Sequence, residues 1–229
     1  MPPRLSASWR PRLVARGAPS WLVHFAIPFV VMVSVFLFAS IGHEVREDGR
    51  LGIDLWAQRY IHVPQHSSMY AIMTSVSWFA GPHVVPWLVL VGVAFTVAIG
   101  RFRPDGISLL VAVLGGLAMI VALKAGYHRE RPDIVFASLG YSYPSGHSFF
   151  AAILYGLVGY HIQRHLAGAA RWLTICIAAA VVLLVGYSRV ALGEHFLTDV
   201  AGGYALALPW LWICVHLPEY FPWMGRARQ

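Results

Sequence analysis

The chain has 229 residues, 58% of them hydrophobic and 12% charged, with a formal net charge of +7 and a mean hydropathy of +0.63. That balance lies outside the range of a soluble domain and makes a membrane protein the default. It also speaks against nucleic-acid binding, because the 17 basic residues are scattered in short clusters between apolar stretches instead of being gathered on one polar segment.

No Ser/Gly-rich or Pro-rich linker, low-complexity tract or repeat divides the chain, so residues 1–229 read as a single membrane-embedded domain. Cys176 and Cys214 sit far apart inside apolar runs, with neither disulfide nor zinc spacing, and read as small buried hydrophobes. Residues 1–20 carry Arg4, Arg10, Arg12 and Arg16 ahead of an apolar run that is longer than a signal-peptide core and lacks a small-residue cleavage site. They are expected to form a retained cytosolic tail.

A helix needs about 20 apolar residues to cross a hydrocarbon core of about 30 Å. Six runs approach that length: 21–41, 83–100, 107–124, 147–163, 172–187 and 196–216. Between the first two lie a polar stretch, 43–62, and an amphipathic segment, 69–79, too polar at its start to span and expected to lie along the interface. The expected fold is therefore all-α, a polytopic bundle of six transmembrane helices.

Distributed over the connections of such a bundle, Arg101, Arg103, Arg164, Arg171, Arg226 and Arg228 share a side with the four N-terminal arginines, ten cations in all. The opposite side receives seven: Arg46, Arg50, Arg59, Lys124, Arg129, Arg131 and Arg189. The positive-inside bias makes the first side cytoplasmic, with both termini there. The margin widens if several of the seven are retained for chemistry.

Three segments on the outer side concentrate the polar groups that a hydrophobic bundle otherwise avoids. The first is KAGYHRERP, where Lys124 closes the third span and Arg131 follows seven residues later. A cation at the centre of a membrane helix costs about 2.5 to 3.5 kcal/mol on insertion scales, so Lys124, Arg131 and Arg189 call for compensation. A shared anion supplies it: arginine presents a planar fork that matches phosphate oxygens, and lysine adds a point charge. Snorkelling at the interface is the structural alternative for any one of them.

The second segment is YPSGH, directly before the fourth span. Ser145 is a candidate N-cap, Gly146 permits close backbone approach, and a helix N-terminus here binds phosphate through its free N–H groups and dipole. His147, in the first turn, can give a proton to a leaving oxygen. Taken alone, the four residues PSGH more commonly mean an ordinary cap followed by a buried histidine, and only their company gives them a functional reading.

The third segment is SRVALGEHFLTD, residues 188–199. His195 and Asp199 lie four apart at the start of the sixth span, on one helix face, where the carboxylate can accept from one ring nitrogen. The other nitrogen can then attack phosphorus and form a phosphohistidine that water hydrolyses. A structural His–carboxylate bond has the same spacing. Arg189, six residues upstream across Gly193, can fold back to the same point.

Together these residues resemble the three-part signature of the type 2 phosphatidic acid phosphatase superfamily: Lys, six residues, Arg-Pro; then Pro-Ser-Gly-His; then Ser-Arg, five residues, His, three residues, Asp. The matching positions are Lys124 with Arg131-Pro132, Pro144-Ser145-Gly146-His147, and Ser188-Arg189 with His195 and Asp199, so every signature position is filled between 124 and 199. The resemblance implies an active site at the outer membrane face, with His195 as nucleophile, Asp199 fixing its tautomer and His147 as general acid. Lys124, Arg131, Arg189, Ser145 and Gly146 would hold the phosphoryl oxygens. It further implies no metal and no cofactor. Glu194 occupies a variable position and is assigned no role.

Three alternatives compete. A metal hydrolase could use His147, His195 and Asp199 as ligands, but no further carboxylates surround them and the arginines would repel a cation. His161 and His165, at helical spacing, fall in a cytosolic connection beside Arg164. A channel or carrier would place ionisable groups nearer the midplane, and Gly115, Gly116, Gly202 and Gly203 serve helix packing in any membrane bundle. A phosphotransferase would pass the same covalent phosphate to another alcohol.

An outer-face phosphate site fits a lipid head group at that depth. Undecaprenyl diphosphate is the first expectation, followed by phosphatidylglycerophosphate and phosphatidic acid, in a bacterial inner membrane with the site facing the periplasm. Trp56, Tyr60 and Trp78 are either interfacial anchors or walls of a lipid access route.

Overall fold

The computed structural model describes residues 25–81, 85–98, 107–132, 140–163 and 165–220. Among them are eight helices and no strand: α1 (Ile27–Asp48), α2 (Gly52–Ile61), α3 (Ser68–Trp78), α4 (Val85–Ala98), α5 (Ile107–Tyr127), α6 (Gly146–Gln163), α7 (Gly168–Ala191) and α8 (Leu197–Tyr220). The expected tail 1–20 lies outside the described residues, as do Arg101, Arg103, Arg164, Arg226 and Arg228.

Within the described residues, each of the six apolar runs contributes one helix, and the remaining two helices, α2 and α3, come from the polar and amphipathic stretches between the first two runs. Among the described residues, four helices are long and apolar enough to cross a membrane: α1, α5, α7 and α8. The described part of α4 has 14 residues, and α6 has 18, a few of them polar.

Helix ends overrun the apolar runs. α1 continues seven residues past Ile41, through GHEVRED, before Gly49 turns the chain at φ 66°. Hydropathy marks the part of a helix at hydrocarbon depth, whereas the helix itself stops where a residue can adopt a left-handed backbone.

α8 lies at the centre, against α1, α2, α5, α6 and α7, while α4 leans on α5 and α3 on α7. Buriedness follows this order, with 39% of the α8 span buried against 6% of the α7 span. The main core joins α5, α6 and α8 through Ile120, Phe149, Ile153, Leu157 and Cys214. Small residues allow that proximity: a Cβ on Gly116 would lie 2.7 Å from the Phe149 ring, and one on Gly156 2.6 Å from Leu211.

The outside is apolar. Phe36, Trp87, Trp172 and Leu183 are each more than 60% exposed, a surface that water would not tolerate and a bilayer solvates. The chain is a membrane-embedded, multi-pass helical protein. Cys214 is buried as expected, but Cys176 is exposed, because it lies on the outward face of α7.

Candidate active site

All three motifs meet at one end of the bundle, where α5 and α7 finish, α6 and α8 begin, and α2 and α3 pack across. A cavity of about 650 Å³ opens there. Lys124, Arg131, Gly146, His147 and His195 line its polar end, and apolar side chains of α4 and α5, among them Val89, Val93, Val113 and Leu117, line the rest.

His195 is placed by the α7–α8 turn. Gly193 takes φ 71°, a left-handed conformation suited to glycine, and the Arg189 carbonyl accepts the amides of both Glu194 and His195, at 3.1 and 3.2 Å. This closes the chain on itself and sets the imidazole beside the arginine six residues earlier. One turn into α8, Asp199 Oδ2 lies 3.2 Å from His195 Nδ1 and accepts the Phe196 amide at 2.9 Å. Both side chains are buried. Burial drives the pKa of His195 well below the ordinary imidazole value; Arg189, Arg131 and Lys124 push the same way, and the Ser142 backbone carbonyl opposes them. These surroundings favour the neutral ring.

The three signature cations are held by oxygens of the protein. Lys124 Nζ donates to the Tyr141 carbonyl and, at 3.3 Å, to that of Ser142. Arg131 donates to the carbonyls of Gly140 and Glu194, at 3.1 and 3.0 Å. Burial lowers its pKa from the usual guanidinium value, partly offset by the Asp199 carboxylate. Arg189 donates to the Ser77 hydroxyl and pairs with the Glu194 carboxylate, while its buried Nε has no acceptor among the described residues. A buried guanidinium with an unmet donor is a ready anion ligand.

The YPSGH loop is anchored from three directions. Tyr143 is buried between Phe38 of α1 and Tyr127 of α5, with ring centroids at 5.7 and 4.8 Å, and its hydroxyl donates to the Phe38 carbonyl at 3.2 Å. Ser142 donates from its amide to the Arg129 carbonyl at 2.8 Å. Ser145 is fully buried; its amide donates to the Asp199 carbonyl at 3.0 Å, and its Oγ accepts from the Ser148 hydroxyl, also at 3.0 Å. Its polar groups thus face the α6 start and α8, and the amides of Gly146 and His147 remain without a partner among the described residues. His147 reaches toward the α3 end, where a Cβ on Gly81 would meet its Nε2 at 3.5 Å.

Four participants carry little or no signal in the motifs. Asp54 on α2, Arg129 and Thr198 form a buried polar cluster behind Asp199, and Ser77 on α3 supports Arg189. Arg129 is visible only as one more cation in KAGYHRERP, and Asp54 as one acid in a polar stretch. Their partners lie on distant segments, so spacing could not reveal them. Among the described residues, no group of three or more His, Cys, Asp or Glu is placed to hold a metal.

A family profile described as the PAP2 superfamily matches residues 105–223. The chain is 35% identical over 144 residues to phosphatidylglycerophosphatase B of Bacillus subtilis (strain 168), a stretch covering 60% of this chain and 69% of that protein. The fold matches, at a TM-score of 0.75 and 24% identity, the crystal structure of a transmembrane PAP2-type phosphatidylglycerolphosphate phosphatase from Bacillus subtilis, over 84% of this chain and 98% of that one. At that identity the structural likeness speaks for the fold.

Proposed function

The chain belongs to the PAP2 superfamily, and from that premise we propose that it removes phosphate from a membrane lipid through a phosphohistidine on His195. The observation that carries this reading is that His195, paired with Asp199, shares the polar end of an apolar cavity with Lys124 and Arg131, while the α7–α8 turn brings Arg189 beside it. A phosphate seated among Lys124, Arg131 and Arg189 would leave its lipid tail in that cavity, between α4 and α5.

In the first step the His195 ring nitrogen not bound to Asp199 attacks phosphorus. An N–P bond forms, the bond from phosphorus to the lipid oxygen breaks, and His147 gives that oxygen its proton. Asp199 keeps the Nδ1 proton in place and stabilises the positive ring. Water then attacks phosphorus with His147 as base, the N–P bond breaks, and phosphate leaves. The three cations, joined by the Gly146 and His147 amides, bind the equatorial oxygens as charge spreads over them. They take the part that a metal plays in other phosphoryl-transfer sites, so no metal is required.

The substrate is a lipid phosphomonoester or diphosphate. The name of the 35% identical relative moves phosphatidylglycerophosphate ahead of undecaprenyl diphosphate, the first expectation from sequence, with phosphatidic acid third. In this reading α1, α4, α5, α6, α7 and α8 all cross the bacterial inner membrane, both termini are cytoplasmic, and the site faces the periplasm.

The deciding experiment measures phosphate release by the purified protein in detergent with excess chelator, from each of the three lipids, with His195→Ala as control. Release that persists in chelator, disappears in the variant and is fastest from phosphatidylglycerophosphate is the expected result. Loss of release in chelator would restore the metal-hydrolase alternative. Release only when an acceptor alcohol is added would make the protein a phosphotransferase.

A further inference from the structure

The Asp199 carboxylate is completely buried, and only one of its oxygens serves His195. The other, Oδ1, accepts from Arg129 Nη1 at 2.6 Å. Arg129 is itself 5% exposed and lies over the Phe196 ring with its guanidinium carbon 4.2 Å from the centroid. Its Nε donates to the Gly49 carbonyl at 2.9 Å, Nη1 also reaches the Thr198 hydroxyl at 2.8 Å, and Nη2 donates to Asp54 Oδ2 at 2.6 Å. Asp54, also fully buried, accepts the Thr198 amide on Oδ1 at 2.9 Å and the Thr198 hydroxyl on Oδ2 at 2.7 Å.

The cluster thus contains two carboxylates and one guanidinium. With both acids ionised and His195 neutral its net charge is −1; with a positive ring it is zero. A lone Arg129 would neutralise Asp199 and leave the imidazole facing Lys124, Arg131 and Arg189 with little counter-charge. Asp54 divides the guanidinium between two acids, which returns negative charge to the Asp199 side of the ring in a setting where water screens little.

Resting on the phosphohistidine reading above, we propose that Asp54 and Arg129 are positioning residues for the phosphoryl transfer. Arg129 holds Asp199 ionised and aligned with His195, and Asp54, by sharing the guanidinium, leaves a surplus negative charge that favours the positive ring that forms as nitrogen bonds to phosphorus. Neither residue touches the substrate. The same bonds dock α2 and the 128–132 loop onto α8, so a purely structural role predicts losses of stability and of ground-state binding together. A positioning role acts on the covalent state and its mimics.

The test uses the full-length protein in detergent, with Asp54→Asn, Arg129→Lys and Arg129→Gln. Each is assayed for kcat, KM, inhibition by vanadate, which bonds to the nucleophile, and inhibition by inorganic phosphate, which needs only the cations. Melting temperature is read alongside. Asp54→Asn is expected to lower kcat at least tenfold with KM within threefold, to weaken vanadate by a similar factor, and to leave phosphate inhibition within threefold. Arg129→Lys, still able to pair with Asp199, should retain severalfold more kcat than Arg129→Gln. An Asp54→Asn kcat within twofold of the parent, or parallel weakening of vanadate and phosphate, overturns the proposal. If Asp54→Asn does not fold, equal activities in the two Arg129 variants overturn it. His195→Ala, run in the same series, separates the two readings: if it still releases phosphate the nucleophile assignment fails, and if it is inert while Asp54→Asn is unaffected only the positioning role fails.

Discussion

The proposed role of His195 as nucleophile rests on its surroundings more than on its own side chain. His195→Ala should abolish phosphate release, and Asp199→Asn should reduce kcat by about 10²- to 10⁴-fold, since the amide offers Nδ1 the wrong partner and spoils the tautomer; steady-state phosphate assays check both. Because burial and three cations lower the His195 pKa, the ring stays neutral as pH falls through the ordinary imidazole range. The acid limb of kcat/KM should therefore lie below pH 6.5, and a limb centred at or above that value would show the nucleophile to be solvated or otherwise assigned. Glu194 pairs with Arg189, one of the cations proposed to bind the phosphate, so carboxylate and phosphate would compete for the same guanidinium. Glu194→Gln should lower the inhibition constant of inorganic phosphate severalfold; an unchanged or raised constant would make the carboxylate part of the binding site.

At the scale of elements, the site is assembled by close approach of α8 to the YPSGH loop. A Cβ on Gly203 would stand 2.7 Å from the Ser145 carbonyl oxygen and 3.4 Å from the Phe149 amide, both backbone atoms that cannot turn aside. Gly203→Ala should push the α8 start away from α6, weakening the Ser145–Asp199 backbone bond and costing about 1 to 3 kcal/mol in overpacking. We expect a lower melting temperature in detergent and a kcat reduced about tenfold, since misplacing reacting groups by a fraction of an ångström is expensive. Parental values of both would mean that the two elements have room to spare. α2 and α3 work as a cap on the same end: α3 presents Ser77 to Arg189, and α2 presents Asp54 to Arg129.

Across the whole molecule, one end carries the candidate site and the flanks carry apolar surface suited to a bilayer. The proposed orientation has a direct check in cells. A cysteine at Ser67, in the turn before α3 at the site end, should react with a membrane-impermeant thiol reagent added to intact spheroplasts. A cysteine at Ala167, before α7 at the opposite end, should react only after permeabilisation. The reverse pattern would turn the site to the cytoplasm and limit its substrate to lipids of the inner leaflet.

Much of this protein is determined by local sequence. Helices and membrane residence follow from apolar runs near 20 residues, because a bilayer tolerates only backbones that bond within themselves. That the candidate site residues would meet was legible for a similar reason: His195 and Asp199 are four apart at a helix start, Arg189 precedes a glycine turn, and cations near a bilayer call for compensation. Tertiary structure alone decided how those residues are held. Ser145 turns its amide to Asp199, Glu194 turns its carboxylate to Arg189, and Asp54 reaches Arg129 from another helix. Such contacts join segments far apart in the chain, where local periodicity carries no information, and they exist only once small residues on α8 have let the helices close.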